Sequence, residues 1–416
     1  MNGERVRSAE KDSAAEILSG KYFPDDALTR LRRGIRRWFT QNGRDLPWRR
    51  TVDPYRVWVS EIMLQQTTTE TVCGYFDRFL TRFPTLGDLA RADIAEVLRC
   101  WEGLGYYRRA HLLHRAAGVI AEEYGGVFPR ERRELEKLPG FGRYTAGAVL
   151  SFAFDKREPI LETNTSRFHA RLLAVRGDLT RAENSSILWD FARRILPKRR
   201  PGRFNQALID LGRLVCLPGI PRCEECPCVA LCRTAQNGWQ GEIPTPKKKP
   251  AIEERTEVAW LIRKSFFTDS GGNTFLFIRY PEHLRWGGLW DFPRFLREGE
   301  GPTAEDRLAE SLRAFLGSIR IRPLGEVYRL THAVTHYRIR LILCDTAGHA
   351  LPDERSFFHP TKPFVGAADK IVPFAGGDTP LDAVEYRWLT LRQAAMIPLS
   401  STGRKLVKEL STRRVL

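Results

Sequence analysis

The chain has 416 residues and carries 67 Lys and Arg against 50 Asp and Glu, a formal charge of +17. That length allows two to three domains, and the cationic excess favours a polyanionic partner such as nucleic acid. No apolar run is long enough to span a bilayer and the first residues are charged, which predicts a soluble intracellular protein with no membrane partner. Of the eight cysteines, five crowd into the seventeen residues 216–232, a clustering that suits a metal site better than scattered disulfides.

Residues 1–25 are polar and charged and read as a tail. From Asp25 onward Leu28, Leu31, Ile35, Trp38 and Phe39 recur at helical spacing, until Asp45-Leu46-Pro47-Trp48-Arg49 breaks the pattern. In the helical stretch after Pro54, Val57, Ile62, Met63 and Leu64 ask for burial, which makes Glu61 a carboxylate on an otherwise apolar element. Further helices are expected at 72–83, 92–101, 109–124 and 185–196, and no alternating strand pattern precedes residue 250, so the N-terminal half reads as all-α. Between two of these helices, Gly103-Leu104-Gly105-Tyr106-Tyr107 leads into Arg108 and Arg109. This is either a packed tyrosine pair at a helix start or an aromatic presented to bases beside phosphate contacts.

Leu138-Pro139-Gly140-Phe141-Gly142 joins a short helix at 131–138 to a buried one at 144–154. Pro139 pushes the residue before it out of the helical region and ends the first helix. Gly140 and Gly142 permit positive φ and close approach of another backbone. The free amides at the start of the second helix make an anion site. The turn is therefore either a loop between core helices or a helix–hairpin–helix grip on one DNA phosphate, which holds the backbone without reading a base.

Cys216, Cys223, Cys226 and Cys232, spaced x6, x2 and x5, can close on one metal centre; zinc and an iron–sulfur cluster both remain open on spacing alone, and Cys228 falls outside the pattern. Residues 241–256 hold three prolines and the run Lys247-Lys248-Lys249, and read as a linker. Beyond it the period changes to two, with strands expected at 258–262, 274–279, 326–330 and 337–343 and a helix at 304–316, a separate α+β domain over 257–416.

From about residue 28 onward the chain resembles the MutY-type adenine DNA glycosylases of the helix–hairpin–helix superfamily. The carriers are Leu46-Pro47-Trp48-Arg49, the run from Ser60 to Thr67, Gly103 to Tyr107, the hairpin at 138–147, Phe204-Asn205-Gln206-Ala207 and the four-cysteine loop. The resemblance implies a helical glycosylase domain over 26–240, with one 4Fe–4S cluster per chain on Cys216, Cys223, Cys226 and Cys232. It implies a Nudix-like domain over 257–416, recognisable in the segment from Trp286 to Pro293, that reads the opposite base. The positions matching the metal box of working Nudix hydrolases carry Ser311, Ala314 and Phe315, so diphosphate hydrolysis is not expected.

By the same resemblance, Glu61 is the acid that protonates adenine N7, and burial would hold its carboxyl partly protonated at neutral pH. Glu162 stands where the family has Asp and Thr163 where it has Gly, which keeps the charge and moves it by roughly 1 Å, a displacement that can matter to rate. Its role would be to stabilise the oxocarbenium-like sugar, with Asn164 positioning that charge and capping the next helix. Tyr144 occupies the position of the Schiff-base lysine of strand-nicking relatives, so hydrolysis without β-elimination is expected. Trp48, Arg49 and Gln206 would line the adenine pocket. Gln66 and Tyr106 would enter the duplex with Gln65 also contacting DNA, Gly140 and Gly142 hold its backbone, and the turn Val334-Thr335-His336 read the opposite base. The implied partner is double-stranded DNA with adenine opposite 8-oxoguanine or guanine, bound by a monomer in the cytoplasm at the nucleoid. The alternatives are an endonuclease III-like glycosylase of damaged pyrimidines and a catalytically weakened mismatch-binding protein.

Overall fold

A computed structural model describes residues 23–246, 251–264, 273–282, 286–297, 299, 301, 306–310, 321–348 and 385–413. The tail expected at 1–25 falls almost wholly outside these residues, as do Lys247-Lys248-Lys249 and Ser311, Ala314 and Phe315. The chain divides by its contacts into two units, residues 1–90 with 115–248 and residues 91–114 with 249–416. No described helix is long and apolar enough to cross a membrane.

The helices run in order as α1 (Asp25–Asn42), α2 (Pro54–Leu64), α3 (Thr69–Arg82), α4 (Leu86–Arg91), α5 (Ile94–Trp101), α6 (Arg108–Glu123), α7 (Arg132–Leu135), α8 (Arg143–Phe154), α9 (Thr163–Leu173), α10 (Ala182–Ile195), α11 (Pro201–Leu214) and α12 (Arg233–Gln236). In the first unit, Leu28, Leu31, Ile35 and Phe39 of α1 form one stripe and share a core with Phe168 and Leu172 of α9, Phe191 of α10 and Leu208 and Leu211 of α11. Asp53 starts α2 by accepting from the Tyr55 amide at 2.9 Å, with Pro54 at the first helical position, where its missing N–H costs nothing. Ile243, inside the stretch read as a linker, is fully buried in this core, and the Arg171 side chain holds its carbonyl at 2.7 Å.

In the second unit the strands are β1 (Glu253–Leu261), β2 (Arg263–Lys264), β3 (Thr274–Arg279), β4 (Trp290–Asp291), β5 (Arg294–Arg297), β6 (Ile321–Val334), β7 (Tyr337–Gly348) and β8 (Tyr386–Leu389). One sheet has the order β5-β1-β7-β6; the other has β2-β3-β4 with β8 also on β3. The expected period of two is visible in the packing. Val258 and Trp260 of β1 pack with Leu276 and Ile278, while Ala259 and Leu261 pack with Phe275 and Phe277, over a helix at Ser401–Arg413 that contributes Leu406, Val407 and Leu410. The unit is α+β, and the described part of the first unit is all-α.

Candidate active site

Glu61 lies on α2, whose Tyr55, Val57, Trp58, Val59, Ile62 and Met63 are all buried, and it is itself 5 % exposed. α8 packs against α2 and brings Tyr144 to it; the phenol donates to Glu61 Oε2 at 2.7 Å. Burial is the dominant effect on the Glu61 carboxyl and pushes its pKa up to about 7. The Tyr144 hydrogen bond and the Arg49 charge pull it down, and the Glu162 charge adds to the rise. Tyr144 is held well above an ordinary phenol by burial, by Glu61 and by Glu162. Two carboxyls and a phenol therefore share one electrostatic neighbourhood.

Glu162 is the N-cap of α9. Its Oε1 accepts from the Thr165 amide at 2.8 Å and its Oε2 from the Asn164 amide at 2.8 Å and side-chain amide at 3.1 Å, while Thr165 Oγ1 accepts from the Glu162 amide at 2.9 Å. This is a reciprocal capping box. The cap assigned to Asn164 thus belongs to Glu162, because its carboxylate folds back on the first turn and reaches two amides at once. Burial raises the Glu162 pKa, and the backbone amides of Asn164 and Thr165 oppose that rise. The start of α9 is seated by α11: at Gly212 a Cβ would lie 2.7 Å from the Asn164 carbonyl oxygen, so only glycine lets the two helices approach this closely.

Arg49 does not project freely. Its guanidinium grips Asp210 of α11 with two hydrogen bonds, at 2.6 and 2.9 Å, and a third goes to the Arg44 carbonyl. Trp48 is buried edge-on against Phe76, and Gln206 is half-buried on α11, one helical turn before Asp210. In the hairpin, Gly140 has φ +78° as expected, whereas Gly142 is the extended N-cap of α8 at φ −93°, with nothing near its missing Cβ. Gly142 therefore provides room rather than a left-handed bend. Neither Gly142 nor an acidic side chain occupies the first amides of α8, which leaves them open to an anion.

Among non-glycine residues in left-handed conformation are Gln66 (φ +57°), Tyr106 (φ +48°) and Thr335 (φ +54°), all exposed and all expected to meet DNA; Gln65, beside the first, is half-buried. Such backbone costs of order 1–3 kcal/mol and concentrates at functional positions. Thr335 and His336 form a two-residue turn between β6 and β7, closed by Val334 opposite Tyr337, and His336 packs on the Tyr337 ring at 4.0 Å.

The loop after α11 brings Cys216, Cys223, Cys226, Cys228 and Cys232 around one cavity. Arg167 and Arg171, one turn apart on α9, tie that loop to the helix. Arg167 donates to the carbonyls of Cys216 and Gly212 and to Asn164 Oδ1, and Arg171 to the carbonyls of Leu217, Gly219 and Ile243.

Residues 59–194 match the HhH-GPD superfamily of base excision DNA repair proteins. The adenine DNA glycosylase of Rattus norvegicus is 35 % identical over 363 residues, covering 76 % of this chain and 70 % of the rat protein. The chain belongs to the adenine DNA glycosylase family. The human member is 33 % identical over 380 residues, covering 78 % of this chain and 68 % of its own. A solved thermostable thymine-DNA glycosylase is 31 % identical and covers 50 % of this chain and 95 % of its own, with a TM-score of 0.46. This glycosylase is thus a base-excision enzyme whose family's polar residues are held by partners that motif reading did not reveal. Asp210 was detectable as a carboxylate four residues after Gln206, on the same helix face. Arg167 and Arg171 were detectable only as an i, i+4 pair on the helix expected to follow Asn164.

Proposed function

We propose that this glycosylase hydrolyses the N-glycosidic bond of adenine opposite 8-oxoguanine or guanine, with Glu61 as proton donor and Glu162 as the ionised group beside the sugar. The observation that carries this reading is the Glu61 carboxyl, hydrogen-bonded by Tyr144 and pushed up to a pKa of about 7 by its burial, with a further contribution from the charge of Glu162. The adenine first leaves the stack. Tyr144 occupies Oε2 of Glu61, so the proton travels from Oε1 to adenine N7, and the C1′–N9 bond breaks as the base becomes a neutral leaving group. Positive charge then spreads over C1′ and the ring oxygen. Glu162, whose anion is favoured by three N–H donors at a helix N-terminus, stabilises that charge, and water adds to C1′ as its proton passes to the Glu61 carboxylate left by the first step. Asn164 and Arg167 hold the carboxylate in place. Tyr144 cannot form an imine, and its hydroxyl is already committed to Glu61, which argues against a nicking endonuclease III-like reaction.

The amides after Gly140 and Gly142 hold a phosphate, Gln66 and Tyr106 enter the duplex with Gln65 also contacting DNA, and Thr335 and His336 read the opposite base. Trp48 and Arg49 build the pocket wall through Phe76 and Asp210, and Gln206 offers its amide to the base. Four of the loop cysteines fit a 4Fe–4S cluster. Among the described residues none are arranged to hold a single metal ion, yet these thiols surround one cavity, as a polynuclear centre with a body of its own requires. When bound, such a cluster cross-links residues 216–232 through its iron–thiolate bonds. Iron and acid-labile sulfide should each reach about four per chain, and zinc alone would overturn the assignment.

Single-turnover release of adenine from a duplex with adenine opposite 8-oxoguanine tests the enzyme. Wild type should release the base and leave an abasic site that breaks only on alkali treatment. Bound duplex with no adenine released would favour the mismatch-binding alternative, for which the committed carboxylate oxygens of Glu162 are the motivating observation.

A further inference from the structure

The second unit contains the stretch 91–114, and with it the Tyr106 loop. That loop is rigidly built. Gly103 and Gly105 take φ +97° and +71°, the Trp101 indole donates to the Gly105 carbonyl at 3.3 Å, and Arg109 donates to the carbonyls of Leu104 and Gly105 at 3.1 Å each. The Arg109 guanidinium lies 5.4 Å from the Trp101 ring and 5.9 Å from the Tyr106 ring. Tyr106 itself is 51 % exposed, an aromatic held out of the fold by strained backbone.

The loop's first residue is gripped by residues at the other end of the chain. Arg404, on the helix Ser401–Arg413, pairs both its Nε and Nη2 with Glu102, at 2.6 and 2.7 Å. The same guanidinium is fixed from behind by the carbonyls of Ala395 and Ile397, at 2.6 and 2.8 Å. Arg99 donates to the Met396 carbonyl at 3.0 Å, and the His111 ring lies 3.0 Å from the Gly287 carbonyl oxygen. At Gly288 a Cβ would meet Leu98 at 2.9 Å and His111 at 3.0 Å, so these side chains rest directly on that turn. A bidentate, partly buried Arg–carboxylate pair fixes orientation as well as distance.

We propose that Arg404 is a positioning residue for Tyr106. Through Glu102, the C-terminal part of the chain sets the angle at which the tyrosine enters the duplex, and so contributes to opposite-base discrimination independently of the turn at 334–336. The proposal rests on the reading of Tyr106 as the inserted aromatic. Loss of the pair would leave the loop folded, since Arg109 and Trp101 still hold it, but free to pivot at Glu102.

The test uses the full-length protein and a duplex with 2-aminopurine beside the base opposite adenine, whose fluorescence rises when the stack is opened. Wild type should raise the signal and Tyr106→Ala abolish the rise. Arg404→Ala should reduce both the rise and the rate ratio between 8-oxoguanine and guanine duplexes by about 3- to 10-fold. Glu102→Gln should cause the same loss, and adding it to Arg404→Ala should cost nothing further, which two unrelated destabilising changes would not give. Should Arg404→Ala fail to fold by circular dichroism, Arg404→Lys, which keeps charge and loses the fork, decides in its place. A lost signal in Tyr106→Ala with wild-type signal and ratio in the Arg404 variant overturns this proposal alone. An intact signal in Tyr106→Ala overturns the reading of Tyr106 and the proposal together.

Discussion

The wall made by α2 and α8 and the start of α9 each present a glutamate, and they treat it in opposite ways. On the wall, Glu61 is enclosed by apolar neighbours, and burial favours its protonated form against the single hydrogen bond from Tyr144. At the start of α9, Glu162 is nearly as enclosed, but it receives two backbone amides and the Asn164 side chain at a helix N-terminus, all of which favour the anion. The comparison teaches that burial alone does not assign acid and anion roles; the number and kind of donors does.

The largest expected effect comes from removing the proton. Glu61→Gln keeps the shape and should lower single-turnover adenine release by about 10²–10⁴-fold, with duplex binding retained. Glu162→Gln keeps an oxygen for the cap and removes the charge, and should cost about 10²–10³-fold; Glu162→Asp, which keeps both cap and charge, should stay close to wild type. Equal losses for Gln and Asp would show that reach, not charge, defines this position. Gly212→Ala drives a methyl into the Asn164 backbone and should destabilise the protein by about 1–3 kcal/mol in chemical denaturation.

The smallest and sharpest probe is pH. Because the folded Glu61 pKa is raised to about 7, its acid form is complete at the low pH where free carboxyls titrate and is lost as pH rises through about 7; the rate should fall on that alkaline limb. The stability that Glu61 contributes in its protonated form is lost over the same window. The Glu162 pKa is also raised, so the acid limb should begin above the range of an ordinary carboxylate as Glu162 gains a proton. The Tyr144 hydrogen bond lowers the Glu61 pKa, so Tyr144→Phe should move the alkaline limb to higher pH with less than about a tenfold change in the plateau rate. A limb moving down would invert the assignment.

Much of this was legible in the sequence where it depended on local pattern. Glu61 stood out because a carboxylate interrupts an apolar helix, and strand β3 emerged at 274–279 because its residues alternate between two cores. Helix α11 was hidden by Pro201 and Gly202, which read as a break although proline suits a first helical position. The helix expected after Asn164 is α9, but it starts two residues earlier than that cap implied, because Glu162 rather than Asn164 caps it. Strands β6 and β7 extend beyond 326–330 and 337–343 because pairing with each other, and of β7 with β1, sustains segments interrupted by Pro323, Gly325 and Gly348, residues that read as breaks. The Arg49–Asp210 and Glu102–Arg404 pairs join residues 161 and 302 positions apart, and nothing in either neighbourhood announces the other.

The capping box at Glu162 has a consequence for how this enzyme can fail and how it can change. The atoms proposed to stabilise the reacting sugar are also those that keep the first turn of α9 wound, so on that proposal a fraying of this single turn disarms the chemistry while the rest of the protein stands. Warming should therefore extinguish turnover before ellipticity is lost. Drift at this site is confined to side chains that are anionic and able to bend back onto two amides, a requirement that aspartate and glutamate meet and no other residue does.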